Sequence, residues 1–244
     1  MNKLIIYDWD NTILFTYFIF NTDYGKILES VREQKQFNNI NEFFNHQIPS
    51  KEQETYNKYI IEIDKSATNL LRKSKEISET CIVTNALNGW VEESAKFYLP
   101  NVYKELFSIK IWSARSTFQL IYPEFTNKNF KLWKYKMFEH IVSNNKNKNL
   151  ISVGDSDAEF NAMTDIKKEN PILNISIIKF KPEPTIQYLK LEIDKCLKIV
   201  RHLKNNNTIY MEKELNKTIE GFIQTGGDFL VQNLNKIIWF NHCY

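Results

Sequence analysis

Glycine is scarce in this chain, with six residues in 244. None falls in a G-x-G-x-x-G or G-x-x-x-x-G-K-[ST] pattern, so a glycine-lined loop around a dinucleotide or nucleoside triphosphate is not expected. Cysteine is rarer still. Cys81, Cys196 and Cys243 are odd in number and irregularly spaced, which speaks against a disulfide framework or a C-x-x-C motif and for reduced thiols in a cytoplasmic setting. The four histidines, His46, His140, His202 and His242, are too scattered for a zinc set. No uncharged stretch approaches the roughly 20 residues that cross a bilayer. Asp8 and Asp10 stand where a secretory signal needs apolar residues. The net charge of +3 is too small to imply a nucleic-acid partner, and none is expected.

Hydrophobic residues make up 43% of the chain and aromatic ones 14%, ample for one packed α/β domain with an insertion. Short apolar runs alternate with helical periodicity, the pattern of βα units and a mostly parallel sheet. Strands are expected at 3–8, 80–84, 107–112, 149–153 and 172–180, and helices at 21–36, 51–78, 88–98, 129–143, 157–168 and 184–203. About 70 residues separate Thr12 from the second strand, far beyond an ordinary βα connection. Part of that span is read as the returning helix. The remainder is read as a small helical insertion over the end of the first strand. The resulting division is a core of 1–15 and 61–203, an insertion of 16–60, and a C-terminal helical extension of 204–244. The aromatics of the insertion (Phe18, Phe20, Phe37, Phe43, Phe44, Tyr56 and Tyr59 among them) are expected to form a core of their own, with lining of the site entrance as the lesser reading for some. In the extension, residues 228–240 are amphipathic and read as a docked helix or the start of a further module, with weak membrane or partner contact through 225–244 as the lesser reading.

The most informative string is Asp8-Trp9-Asp10-Asn11-Thr12, which follows directly on the apolar run Leu4-Ile5-Ile6-Tyr7. Two carboxylates just past a buried strand stand at the sheet's carboxyl edge, where open α/β sheets bind ligands. Crowding them is unfavourable unless a cation or a phosphoryl group explains it. The second strand brings Thr84 and Asn85 to the same edge, and the fourth brings Gly154-Asp155-Ser156-Asp157-Ala158-Glu159. Between them, Phe130-Lys131-Leu132-Trp133-Lys134-Tyr135-Lys136 opens a helix and supplies cations. Carboxylates, a hydroxyl and a lysine suit magnesium-assisted phosphoryl transfer, because hard oxygens suit Mg²⁺.

These four blocks, in this order and spacing over roughly residues 1–202, resemble the haloacid dehalogenase-like superfamily of aspartate-nucleophile phosphatases. The resemblance implies a Rossmann-like core, with a parallel sheet flanked by helices and a small helical cap after the first strand. Further strings, Gly89-Trp90-Val91-Glu92, Ser113-Ala114-Arg115-Ser116, Trp133-Lys134 and Lys179-Phe180-Lys181-Pro182-Glu183-Pro184, resemble a eukaryotic-type branch of it. Bacterial effectors that act as phosphotyrosine phosphatases share that look, which implies a host cytosol or membrane surface as a place of action. Carried over residue by residue, Asp8 is the nucleophile and Asp10 the general acid and base. Mg²⁺ is the cofactor, held by Asp8, Asp155 and the backbone carbonyl of Asp10. Thr84 and Asn85 bind phosphate, and Lys134 neutralises the aspartyl-phosphate, with Lys131 and then Lys136 as alternatives. Glu159 is the second acidic position of the last block. Asp157 is either an outer-shell group or an ordinary helix-start acid, and Arg115 either approaches the phosphate or is structural. An acid at position 10 favours hydrolysis of phosphomonoesters over dehalogenation. A small cap suits a phosphorylated protein or peptide, phosphotyrosine first. A sugar phosphate or nucleotide substrate, or a scaffold acting through its C-terminal segment, are the alternatives.

Overall fold

The buried run Leu4-Ile5-Ile6-Tyr7 forms the centre of a parallel sheet in the computed structural model, which describes residues 3–146, 149–203 and 230–233. Strand β1 (Lys3–Tyr7) lies between β2 (Glu79–Thr84) and β4 (Asn149–Gly154); β3 (Lys110–Ser113) flanks β2, and β5 (Asn174–Lys179) flanks β4. All five run parallel in the order β3-β2-β1-β4-β5. The central strands are apolar almost without interruption because both their faces are covered. In β1, Ile5 and Tyr7 enter one apolar cluster and Leu4 and Ile6 the other. The chain moves outward from β1 to β3 and then crosses back to β4. Strand order therefore reverses beside β1, and the carboxyl ends of β1 and β4 border the resulting crevice.

Ten helices complete the described chain. They are α1 (Thr16–Asn21), α2 (Asp23–Gln34), α3 (Ile40–His46), α4 (Lys51–Ile77), α5 (Trp90–Tyr98), α6 (Pro100–Leu106), α7 (Ala114–Phe118), α8 (Asn127–Ser143), α9 (Asp157–Glu169) and α10 (Ile186–Leu203). Helix α4 packs on α10, and α8 packs on α9 over the opposite cluster. Ser50 and Gln53 close a reciprocal capping box at the start of α4, which runs on unbroken across position 61. Helices α1 and α2 cross so closely that a Cβ at Gly25 would lie 2.0 Å from the Phe18 carbonyl oxygen; glycine alone fits there.

Three expectations need correction. Phe18, Tyr24 and Ile40 share one cluster with Ile5, Tyr7 and Trp9, and Phe37, Phe43, Phe44, Tyr56 and Tyr59 pack against it; the inserted helices extend the sheet's core and have none of their own. No helix was expected between 98 and the third strand at 107–112; Pro100–Leu106 is helical, with Pro100 at the first position of α6, and the strand is Lys110–Ser113. Asp64, in the middle of α4, supplies the missing cap by accepting from Asn101 N at 3.1 Å and Val102 N at 3.0 Å. In the C-terminal extension, Leu230–Asn233 is a strand, β6, antiparallel to β5, and not part of a docked helix. The open edge of β5 offers a row of unpaired backbone groups, and pairing with them overrides a modest helical periodicity. The expectations for 204–229 and 234–244 lie outside the described residues. Among those described, no helix is long and apolar enough to cross a membrane.

Candidate active site

Asp8 extends the ladder one step past β1, its N–H donating to the Val153 carbonyl at 2.8 Å. That bond fixes its backbone at the crevice and leaves the carboxylate inside. Lys134 of α8, 1% exposed, reaches it through the core. Its ammonium donates to Asp8 Oδ1 at 2.7 Å and to the Val83 carbonyl at 2.8 Å, and lies 2.8 Å from Glu159 Oε1. Glu159 comes from the first turn of α9. Its Oε2 accepts from the backbone N–H of Ser156 at 3.0 Å and from the Ser156 hydroxyl, a capping box that ties the helix start to the site. The Glu159 side chain passes close to Gly154, where a Cβ would come within 2.6 Å of Glu159 Cγ. Asp155 follows at the end of β4, buried beside them. One oxygen from each of Asp8, Asp155 and Glu159 lies within 4.8 Å of the others.

Three buried carboxylates face one buried ammonium, and the balance shows in their protonation. Burial pushes the Asp8 carboxyl well above the carboxylate range; Lys134 pulls it down, but Glu159 and Asp155 push it up again. Burial and the Glu159 charge raise Asp155 to about 7, against the pull of Lys134, the Asn11 side chain and Lys179. Burial also pushes Glu159 upward, but Lys134 and Ser156 outweigh it and hold that carboxyl below its usual range. Lys134 is desolvated too, yet Asp8 and Glu159 raise its pKa overall. With all groups ionised, the cluster carries two negative charges more than Lys134 offsets. Oxygen donors so arranged could hold a metal ion, and a hard divalent cation would balance that charge.

Asp10 stands apart from this cluster and faces the same cleft, a cavity of about 800 Å³. Its Oδ1 accepts from the Thr16 hydroxyl at 2.7 Å and from Trp90 Nε1 at 2.9 Å, and its Oδ2 from the Thr84 hydroxyl at 3.3 Å. Thr84 is fully buried and also accepts from Ala86 N at 2.9 Å. Its hydroxyl therefore links the end of β2 to the Asp10 carboxylate. Asn85 lines the cleft; its amide donates to the Phe130 carbonyl at 3.1 Å, and its oxygen is buried without a hydrogen-bond partner among the described residues.

The three candidate lysines separate cleanly. Lys134 alone reaches Asp8. Lys136 pairs with Glu139 at 2.8 Å, and Lys131 is exposed on the outer cleft wall. Asp157 is exposed and faces Lys179 at 3.4 Å. Arg115 lines the cleft with Nε donating to Gln119 Oε1 at 3.0 Å and its guanidinium 4.5 Å from the centre of the Phe125 ring. Trp9 and Trp133 are wholly buried packing, whereas Trp90 lines the cleft, stacked on Phe20 at 6.2 Å. Sequence reasoning missed Thr16 and Phe125, which carry no motif. The Ser156…Glu159 pairing was legible as S-x-x-E. Comparison with protein-family models, curated proteins and solved structures found no match.

Proposed function

We propose that this chain is a Mg²⁺-dependent phosphomonoester hydrolase that works through an aspartyl-phosphate on Asp8, with phosphotyrosine in a protein or peptide as its substrate. The observation that carries the reading is the Lys134 ammonium 2.7 Å from the Asp8 carboxylate, in a buried acidic cluster that opens on the same cleft as Asp10. Asp8 Oδ1 is occupied by Lys134; no second side chain is hydrogen-bonded to this carboxylate among the described residues, so Oδ2 is free to attack. A bond forms between that oxygen and phosphorus as the bond from phosphorus to the leaving oxygen breaks. Asp10 delivers its proton to the departing oxygen, then takes one from a water that attacks the same phosphorus, releasing phosphate and restoring Asp8. Thr16, Trp90 and Thr84 keep the Asp10 carboxylate aimed through both steps. Lys134 stays beside the oxygens on which charge builds.

The carboxylates of Asp8 and Asp155 suit a magnesium ion and would hold it, with the Asp10 carbonyl as the third ligand that the resemblance implies, while Lys134 and Ser156 retain Glu159. When bound, it would offset the excess negative charge and polarise the phosphoryl oxygens. A phenolate leaves with less help from Asp10 than an alkoxide does, and Trp90, Phe20, Phe125 and Phe130 give the cleft aromatic walls. The test is hydrolysis by purified protein with magnesium, using phosphopeptides, sugar phosphates and nucleotides, beside Asp8→Asn. Phosphotyrosine peptides should turn over fastest, and the variant should be inert. Faster turnover of the metabolites would assign a small-molecule phosphatase instead, and activity surviving in Asp8→Asn would end the nucleophile assignment.

A further inference from the structure

Resting on the phosphatase reading above, we propose that the outer wall of the cleft is a second subsite, in which Arg115 and Lys131 read a carboxylate flanking the phosphorylated residue of a peptide. The cleft is polarised. Its acids (Asp8, Asp10, Asp155, Asp157 and Glu159) all follow β1 or β4, whereas Arg115 follows β3 and Lys131 lies on α8. Two strand spacings of about 4.8 Å place the root of Arg115 roughly 10 Å across the sheet edge from that of Asp8. Lys131 is one turn before Lys134, about 4.5 Å away along the axis of α8. Both cations therefore face the cleft beyond the reacting phosphorus.

Neither has a carboxylate partner among the described residues, in contrast to Lys134, Lys136 and Lys179. Arg115 is nonetheless held in place. Its Nε is committed to Gln119 and its plane rests on Phe125, which itself packs edge-on against Phe130 and Trp133. That leaves the two terminal nitrogens, a fork whose geometry matches a carboxylate. Phe125 is 56% exposed, so the platform stands open to an incoming chain. A pre-oriented guanidinium and an exposed ammonium on one cleft, neither paired with a carboxylate among the described residues, attract an anion without first breaking an internal ion pair.

The test compares kcat/KM for phosphotyrosine peptides with glutamate, neutral or lysine residues beside the phosphotyrosine. The wild type should favour the glutamate-flanked peptide by about tenfold at low salt, with the preference shrinking towards 0.3 M salt. In Arg115→Gln/Lys131→Gln the ratio should collapse towards one, through a rise in KM for the acidic peptide. Arg115→Glu should turn the preference towards lysine-flanked peptides. An absent preference in the wild type, or an unaltered one in both variants, overturns the proposal. Stronger selection for a second phosphate than for a carboxylate also overturns it. Should either variant fail to fold, the salt dependence of the wild-type ratio decides. No hydrolysis of any peptide would instead count against the phosphatase reading itself.

Discussion

Lys134 and Lys131 lie one turn apart on α8, and the fold treats them oppositely. Lys134 is sealed between two carboxylates at the inner end of the cleft, whereas Lys131 stands in water on its outer wall. The contrast separates two uses of charge. At the inner end desolvation magnifies every interaction, so on the proposed reading those residues would set the chemistry and trade against folding stability. On the outer wall solvent screens the charges, which can select a partner and contribute little to the fold. The sharpest challenge to this division is Asp8→Asn. Turnover should drop by roughly 10⁴-fold or more. Without divalent cations the same variant should be more stable than wild type at pH 8, because Asp8 carries a raised pKa. The unfolded chain gives up such a proton near pH 4 whereas the folded chain retains it. Unfolding thus releases protons, and stability falls as pH rises. Asp155, raised to about 7, and the buried Glu192 of α10, which accepts from Lys181 N just past β5 and is raised to about 8 by burial, add to the same slope between pH 4 and 8. Denaturant midpoints across that range check the sign; a variant less stable than wild type at pH 8 would contradict it.

A second test sets the two lysines side by side. Lys134→Met strands Asp8 and Glu159 without their cation and should destabilise the protein by about 3–5 kcal/mol, the usual penalty for half of a buried ion pair. It should also slow turnover by about 10²- to 10³-fold, the scale seen when one donor to a developing negative charge is lost. Lys131→Met should leave the unfolding midpoint where it was. Equal shifts for the two variants would erase the distinction between inner and outer charge. Gly154→Ala probes the inner end more gently. A methyl group 2.6 Å from Glu159 Cγ must push that side chain off Ser156 and Lys134. The expected loss is about 1–3 kcal/mol, smaller in combination with Glu159→Ala, which removes the clash.

Much of this was legible in the sequence, and what was not has physical reasons. The five parallel strands announce themselves because strands buried on both faces must be apolar throughout. Asp8 and Asp155 are readable because position after a buried strand fixes where a side chain emerges. Lys134 was separable from Lys131 and Lys136 only by resemblance, since spacing on one helix does not say which face meets the sheet. Thr84 was placed at the right strand end, but its bond to Asp10 depends on a cross-strand neighbour. The short helix 100–106 escaped because its cap, Asp64, is 37 residues away in sequence. Strand β6 escaped because an edge recruits its partner by open hydrogen bonds, which leave little periodic trace.

The smallest effect concerns Trp90, where the two ends of the cleft meet. Its ring belongs to the outer wall, stacked on Phe20 and approached by the Arg32 guanidinium at 5.7 Å, while its N–H belongs to the inner chemistry through Asp10. Trp90→Phe keeps an aromatic ring but removes the donor, together with part of the ring area that faces Phe20. Asp10 would retain Thr16 and Thr84, so its carboxylate loosens without being lost. One hydrogen bond to a charged group is worth about 1.5–3 kcal/mol; with two donors remaining, the expected loss in kcat is about tenfold or less. It should be unequal. An alkyl phosphate needs its leaving oxygen protonated as the bond breaks, so a misaimed Asp10 slows it most. A nitrophenyl phosphate leaves almost unaided and should be nearly indifferent. Comparing kcat for the two esters in Trp90→Phe and Thr16→Val reads this difference directly. A uniform loss on both would make Trp90 packing alone, and would move it wholly to the outer wall.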